Sequence, residues 1–133
     1  MAAVTRASDA HIDTNTAMFA GHLAGDLVAG EDLAACDFCY IKASDGKVYK
    51  TTGAAATEVS RLAGVTPKAV TAGQVVDLLS APLRMRYAAS GLTPGALLYL
   101  STGGGLDTAA TTGDTTGAAQ AINATDIRLV RFI

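Results

Sequence analysis

Short β-prone runs that end in turn-forming residues recur along this 133-residue chain, and a loose repeat relates its two halves. Residues 40–49 and residues 99–106 each run from an aromatic-aliphatic pair through a glycine-containing turn into apolar residues. Each half continues with a glycine, small residues and a second β-rich run, over residues 64–79 and 117–130. Turn chemistry at this spacing restricts a chain to short strands and hairpins. Because no paired reactive side chains accompany the repeat, it indicates a structural or binding module.

The clearest local prediction is a hairpin. Residues 37–42 and 47–51 alternate in the manner of strands, and Ser44-Asp45-Gly46 between them supplies a glycine that tolerates a left-handed conformation. Phe38 and Tyr40 are expected on one face of the first strand.

Further strands are predicted on both sides of Pro82 and towards the end of the chain. Residues 83–88 alternate apolar and charged side chains, which is typical of a half-buried strand. Thr93-Pro94-Gly95 has the residues of a type II turn. The other predicted strands cover residues 74–79, 97–101 and 127–133. Residues 54–63 suit either a short helix or a strand. Residues 103–116 are expected to form an exposed loop.

Together these elements predict an all-β fold, either a small β-barrel or a compact β-sandwich, with an extended N-terminal arm. The arm is assigned to residues 1–20 and the single β-rich domain to residues 21–133. Within the arm, Ile12, Met18 and Phe19 are the candidate anchors on a neighbouring protein. Equally, Met18 and Phe19 are able to cover the edge of the domain's own core.

Composition favours assembly. Half of the residues, 50%, are hydrophobic, but much of that share is alanine, and only 5% are aromatic. Alanine buries little apolar area, so the core of a single domain of this length is thin. Contacts between subunits would add the burial that the monomer lacks, which makes self-association or attachment to a larger surface the expectation.

Charge and hydropathy argue against a nucleic-acid partner, a membrane span and a secretory signal. The net charge is −2, charged residues are 17% of the chain, and no run of Lys or Arg predicts a surface for nucleic acid. Arg84 and Arg86 share one strand face and are interpreted as solvated. No stretch is long and apolar enough to span a bilayer. Asp9, His11 and Asp13 interrupt the place where a secretory signal would be apolar, so the chain is expected to start in a cytoplasm.

No residue pattern points to catalysis, a metal or a cofactor. Cys36 and Cys39 are three apart and would face opposite sides of a strand, which favours two packed thiols over a metal or redox pair. The Gly103-Gly104-Gly105 run lacks the lysine of a phosphate loop. A hydrolase would need a pocket that gathers His11 or His22 with a nucleophile and a carboxylate. The sequence therefore predicts a protein that is not an enzyme and has no cofactor.

Several segments resemble the head decoration, or cement, proteins of tailed bacteriophages. The resemblance covers roughly residues 25–133 and is carried by turns and small residues. The segments are residues 41–50, 63–65, 72–79, 92–101, 104–106 and 117–122, with 127–129 after them.

The resemblance implies a small β-barrel-like virion protein on the outside of an expanded icosahedral head. It further implies homotrimers at local three-fold positions and an N-terminal arm that pairs with the major capsid protein. Deleting residues 1–20 is then expected to leave the domain folded and to weaken attachment. The alternative is a phage tail or fibre module that binds a host glycan or another ligand, with tyrosines as the available platform: Tyr40, Tyr49, Tyr87 and Tyr99.

Overall fold

The computed structural model describes residues 3–12, 21–23, 27–81 and 83–130, and within them the fold is all-β, as predicted. The helical pieces in these residues are two short 3-10 turns, Glu58–Ser60 and Thr102–Gly104. The strands, in chain order, are β1 (Ala3–Val4), β2 (His11–Ile12), β3 (Gly21–Leu23), β4 (Phe38–Ile41), β5 (Val48–Lys50), β6 (Gly64–Val65), β7 (Leu78–Ser80), β8 (Leu83–Arg86), β9 (Leu97–Leu100), β10 (Leu106–Asp107), β11 (Ala119–Ala121) and β12 (Asp126–Leu129).

Seven strands form one antiparallel sheet in the order β1-β10-β9-β11-β12-β8-β2. The two edge strands, β1 and β2, are consecutive in the chain and are joined by residues 5–10. Seven strands laid flat would separate the edges by about 29 Å, whereas a connection of this length reaches at most about 25 Å. The sheet therefore curls until its edges approach each other, and residues 5–10 cross the gap.

The other five strands form a second antiparallel sheet in the order β3-β7-β6-β4-β5. Residues 27–30 connect β5, at one end of this sheet, to the residues that precede β7. The amide of Gly30 donates to the carbonyl of Val48 in β5, at 2.8 Å, and the amide of Ala29 donates to the carbonyl of Gln74, just before β7, at 2.9 Å. These bonds close the five-stranded sheet around a small core of its own.

The described residues contain two hydrophobic cores. The larger one lies inside the curled sheet and the smaller one inside the five-stranded sheet. Neighbouring residues of the five-stranded sheet divide between them: Phe38 and Leu79 enter the larger core, whereas Cys39 and Leu78 enter the smaller one. The sheet is therefore buried on both faces at these positions, which explains why adjacent residues of β4 and β7 are apolar.

Several local predictions are confirmed. The hairpin forms with Tyr40 opposite Tyr49 and Gly46 at a φ of 70°. In β8, Leu83 and Met85 are buried while Arg84 and Arg86 face outwards. The turn at Thr93-Pro94-Gly95 closes through the amide of Ala96, which donates to the carbonyl of Thr93 at 3.1 Å, with Gly95 at a φ of 85°.

Two predictions need correction. Residues 103–116 are not simply an exposed loop, because they contain β10 and the buried carboxylate of Asp114. Residues 54–63, which suited either a helix or a strand, contain one 3-10 turn. The last strand is described as Asp126–Leu129, and residues 131–133 lie outside the described residues.

The N-terminal residues also differ from an arm that extends away from the domain. Residues 3–12 supply both edge strands of the curled sheet and the connection between them. We call residues 3–12 the N-terminal segment. The rest of the proposed arm, residues 13–20, lies outside the described residues, so the boundary of the arm at residue 20 stays a prediction.

Candidate interaction surface

Of the three residues predicted to contact a capsid, the structure describes Ile12. It lies in β2 opposite Met85, is 8% exposed and belongs to the larger core. Because its side chain packs in the core of its own domain, Ile12 does not present that side chain to a partner while β2 stays in the sheet. Met18 and Phe19 lie outside the described residues, so their role stays a prediction.

An ion pair fastens the N-terminal segment to the five-stranded sheet. The guanidinium of Arg6 donates to the carboxylate of Asp37, which is 1% exposed. Burial alone would lower the pKa of Arg6, but the hydrogen bond and the charge of Asp37 outweigh it and raise that pKa. One residue further on, the amide of Ala7 donates to the carbonyl of Tyr87 at 2.6 Å. The crossing between β1 and β2 is thus anchored at two successive residues.

The chain around Asp37 is a closed hydrogen-bonded turn. The amide of Ala34 donates to the Asp37 carboxylate at 2.7 Å, and the amide of Asp37 donates to Oγ1 of Thr66 at 3.0 Å. That hydroxyl in turn donates to the carbonyl of Ala34 at 2.6 Å. Within the turn, Cys36 has a φ of 64°, a left-handed conformation uncommon for a residue with a side chain. The network holds Asp37 in place to receive Arg6.

The two thiols enter different cores, as the sequence predicts, although Cys36 precedes β4 rather than lying in it. Burial disfavours the thiolate and raises the pKa of Cys36 to about 11. Burial likewise places the pKa of Cys39 well above its ordinary value. Both groups are therefore protonated at neutral pH and poor nucleophiles.

The outward face of the curled sheet carries three arginines, which we call the outer arginine face: Arg84, Arg86 and Arg128. The guanidinium of Arg84 donates to Asp126 at 2.7 and 3.1 Å. Nε of Arg86 donates to Asp9 at 3.2 Å. Burial opposes ionisation of Asp126, but hydrogen bonds from Arg84 and Thr125 outweigh it and lower its pKa. The solvated face predicted for Arg84 and Arg86 is confirmed, and each of the two arginines also forms an ion pair, Arg84 with β12 and Arg86 with the connection between β1 and β2.

Arg128 is held differently. Its Nε and Nη2 atoms donate to Oε1 of Gln120, at 2.9 and 2.6 Å, and Nε2 of Gln120 donates to the carbonyl of Gly95 at 3.1 Å. Arg128 also stands directly opposite Arg84 in the β12–β8 register. Leu97, 41% exposed, lies opposite Gln120 in the same row across the sheet. One row of the outward face thus combines two arginines, an amide and an exposed aliphatic side chain.

The tyrosines do not form an open platform. Tyr87 is in the larger core and Tyr40 is buried. The ring of Tyr49 packs so closely on Gly30 that a Cβ built there would lie 2.2 Å from the ring. Nζ of Lys42 lies 4.9 Å from the centre of the same ring, and the Tyr49 hydroxyl donates to Asp45 at 2.7 Å. Tyr99 in β9 is half-buried.

The glycine run Gly103-Gly104-Gly105 forms a packed turn. The amide of Gly104 donates to the carbonyl of Thr51 at 2.9 Å, and Gly104 is buried against the backbone of Phe38. Beside it, Asp114 accepts from the amides of Leu100 and Gly117 at 2.8 and 2.9 Å. Between these turns lies an open cavity of about 340 Å³, with these residues among its lining: Gly53, Ser101, Thr102, Asp107 and Thr111. Its described lining brings together hydroxyls and one carboxylate.

His11 lies on the outward face at the β2 edge, where its Nδ1 is 2.8 Å from the carbonyl of Asp9. His22 lies in β3. Across the described ranges, no three His, Cys, Asp or Glu side chains converge on a position for a metal ion. Within the same ranges, no helix is long and apolar enough to cross a membrane.

Comparisons of the chain with protein-family models, with curated proteins and with solved structures gave no match. A functional assignment therefore depends on the residues, their geometry and the resemblance of the turns described above.

Proposed function

We propose that this chain is a non-enzymatic structural protein of a phage virion, which binds the outer surface of an icosahedral head and bridges subunits of the major capsid protein. The observation that carries the proposal is the resemblance of its turn and strand segments to head decoration proteins. Those segments coincide with the β4–β5 hairpin, β6, β7, β9 and β11 of an all-β fold. On this proposal the protein is folded in the host cytoplasm before assembly and is exposed on the capsid afterwards.

The attachment would combine apolar burial with main-chain pairing across subunits. The two edges of the curled sheet, β1 and β2, each have one side that no described strand pairs. Edge strands of this kind accept a further strand from a neighbour. Many copies on one lattice would then add avidity to a modest single contact. A homotrimer on the capsid would supply the burial that a thin core lacks.

The test is co-sedimentation of the purified protein with expanded empty heads of its cognate phage. Saturable pelleting at a fixed ratio to the major capsid protein is expected, together with greater resistance of the decorated heads to heat and osmotic shock. A folded protein that does not pellet, or bare heads that survive as well as decorated ones, would contradict decoration. A glycan-array signal in that case would favour the tail or fibre module. Light scattering of the free protein measures whether the trimer precedes attachment.

A further inference from the structure

We propose that the outer arginine face is a docking surface for an acidic protein surface, with Arg128 as its carboxylate-binding anchor. The identity of the partner as the capsid rests on the function proposed above, whereas the chemistry of the face does not. The proposal is carried by charge balance, by strand register and by the way Gln120 holds Arg128.

Charge balance on this face is incomplete. Asp126 pairs with Arg84 and Asp9 pairs with Arg86. Among the described residues, the polar contacts of the Arg128 guanidinium are with the neutral amide of Gln120. A guanidinium has five N–H donors, and a planar carboxylate is the group that matches two of them at once. The face therefore keeps one exposed cation to which an external carboxylate is complementary.

Strand register makes the arrangement unfavourable for the isolated domain. Arg128 and Arg84 are direct partners across the β12–β8 ladder. Like charges directly opposite each other in a sheet are destabilising. Asp126 neutralises Arg84, whereas Arg128 has hydrogen bonds to the neutral Gln120 in place of a carboxylate. An incompletely balanced charge of this kind is characteristic of a functional surface. An acidic partner would remove the repulsion on binding.

The guanidinium is also held in advance of binding. Gly95, Gln120 and Arg128 form a hydrogen-bonded chain that spans a turn and two strands. A side chain fixed in this way loses less conformational entropy when a partner binds. Leu97 adds exposed apolar area beside Gln120 in the same row. An arginine next to an aliphatic side chain is a combination suited to the centre of a protein interface.

An acidic protein fits this face better than nucleic acid does. Two of the three arginines are already neutralised, and the chain carries a net charge of −2. A nucleic-acid surface gains affinity by neutralising many phosphates in a row. Among the described residues, the one available cation of this face satisfies a carboxylate but does not follow a phosphate backbone.

The first test is independent of any phage: amide chemical shifts are followed while hexaglutamate is added to the full-length protein. Saturable shifts are expected for the amides of β8, β11 and β12 in the wild type. The Arg128→Gln variant should lack these shifts. The Lys47→Gln variant, a matched change at an exposed residue of the hairpin, should retain them. Arg128→Gln should melt no lower than the wild type, because it removes like-charge repulsion. No shifts, shifts centred on the lysines, or stronger shifts with a short DNA duplex would overturn the proposal.

The second test measures pelleting with expanded heads. The Arg128→Glu variant should bind the heads about tenfold more weakly or worse, whereas the Lys47→Glu control should bind about as tightly as the wild type. Added NaCl should weaken binding of the wild type. Wild-type pelleting that Arg128→Glu leaves unchanged would overturn the docking face while leaving decoration intact. Absence of wild-type pelleting together with the hexaglutamate shifts would reject decoration and support the acidic-surface site.

Discussion

Asp37 is the residue on which the attachment of the N-terminal segment depends most. Its carboxylate is buried, and its partners come from residue 34 in its own turn and from Arg6, which lies 31 positions earlier. A buried carboxylate is tolerated only where charge and hydrogen bonds replace water. Arg6 therefore acts as the counter-ion of Asp37 inside the fold.

Removal of this counter-ion should be costly. Arg6→Ala leaves Asp37 buried without a cation, so the free energy of unfolding is expected to fall by roughly 2–4 kcal/mol. Urea denaturation measures the change. Arg61→Ala, at an exposed residue, is the matched control and should change stability by about 0.5 kcal/mol or less. An Arg6→Ala variant no less stable than Arg61→Ala would contradict a structural role for the ion pair.

The buried thiols predict loss of stability in alkaline solution. Because the pKa of Cys36 rises from 9.0 to about 11 on folding, the unfolded chain loses this proton first. Stability is then complete below pH 9 and decreases between pH 9 and 11, by about 1.4 kcal/mol per pH unit for each such thiol. Urea midpoints at successive pH values measure the slope. The double variant Cys36→Ala, Cys39→Ala should show a shallower slope, and an unchanged slope would exclude the thiols as its cause.

At the scale of elements, the N-terminal segment has a structural role that its composition does not suggest. Its two short strands complete both edges of the curled sheet, Ile12 enters the larger core, and Arg6 neutralises Asp37. If this segment also attaches to a capsid, as the proposed function implies, attachment and stability of the domain depend on the same residues. An experiment that removes the whole arm cannot separate the two.

The structure accordingly changes the expected result of truncation. Deletion of residues 1–12 should destabilise the domain by more than roughly 4 kcal/mol, because it opens the larger core and leaves Asp37 unpaired. Thermal unfolding measures this. A full-length chain with Thr5→Ala and Ser8→Ala, both at exposed positions, should melt near the wild type. A truncated chain with an unchanged melting temperature would restore the view that this segment is a separable arm.

At the scale of the molecule, the two cores share one sheet. Adjacent residues of β7, Leu78 and Leu79, enter different cores, and so do Phe38 and Cys39 of β4. Disruption of either core therefore displaces backbone that supports the other. We expect the described part of the fold to unfold as one cooperative unit.

Calorimetry tests this cooperativity. Leu78→Ala in the smaller core and Met85→Ala in the larger core should each lower stability by about 2–5 kcal/mol. Both should shift a single transition whose calorimetric and van't Hoff enthalpies agree. Two transitions, each moved by one of the variants, would show that the sheets unfold separately.

Local features of the fold were predictable because neighbouring residues decide them. The hairpin follows from Ser44-Asp45-Gly46, and the faces of β8 follow from the alternation of Leu83 to Arg86. The exposed loop predicted for residues 103–116 is wrong because composition does not reveal that Asp114 accepts several backbone amides. The position of Arg128 opposite Arg84 and beside Gln120 depends on strand register, which neighbouring residues alone do not decide.

The sequence by itself determined that this chain forms short antiparallel strands with alternating faces, since turn residues and period-two patterns act over a few neighbouring residues. Only the tertiary structure decided that the N-terminal segment closes the curled sheet, that Phe38 and Cys39 serve different cores, and that Arg128 faces Arg84. A strand edge offers the same backbone donors and acceptors to any partner. The choice among partners is made by burial and ion pairing between residues far apart in the chain, which no local pattern records.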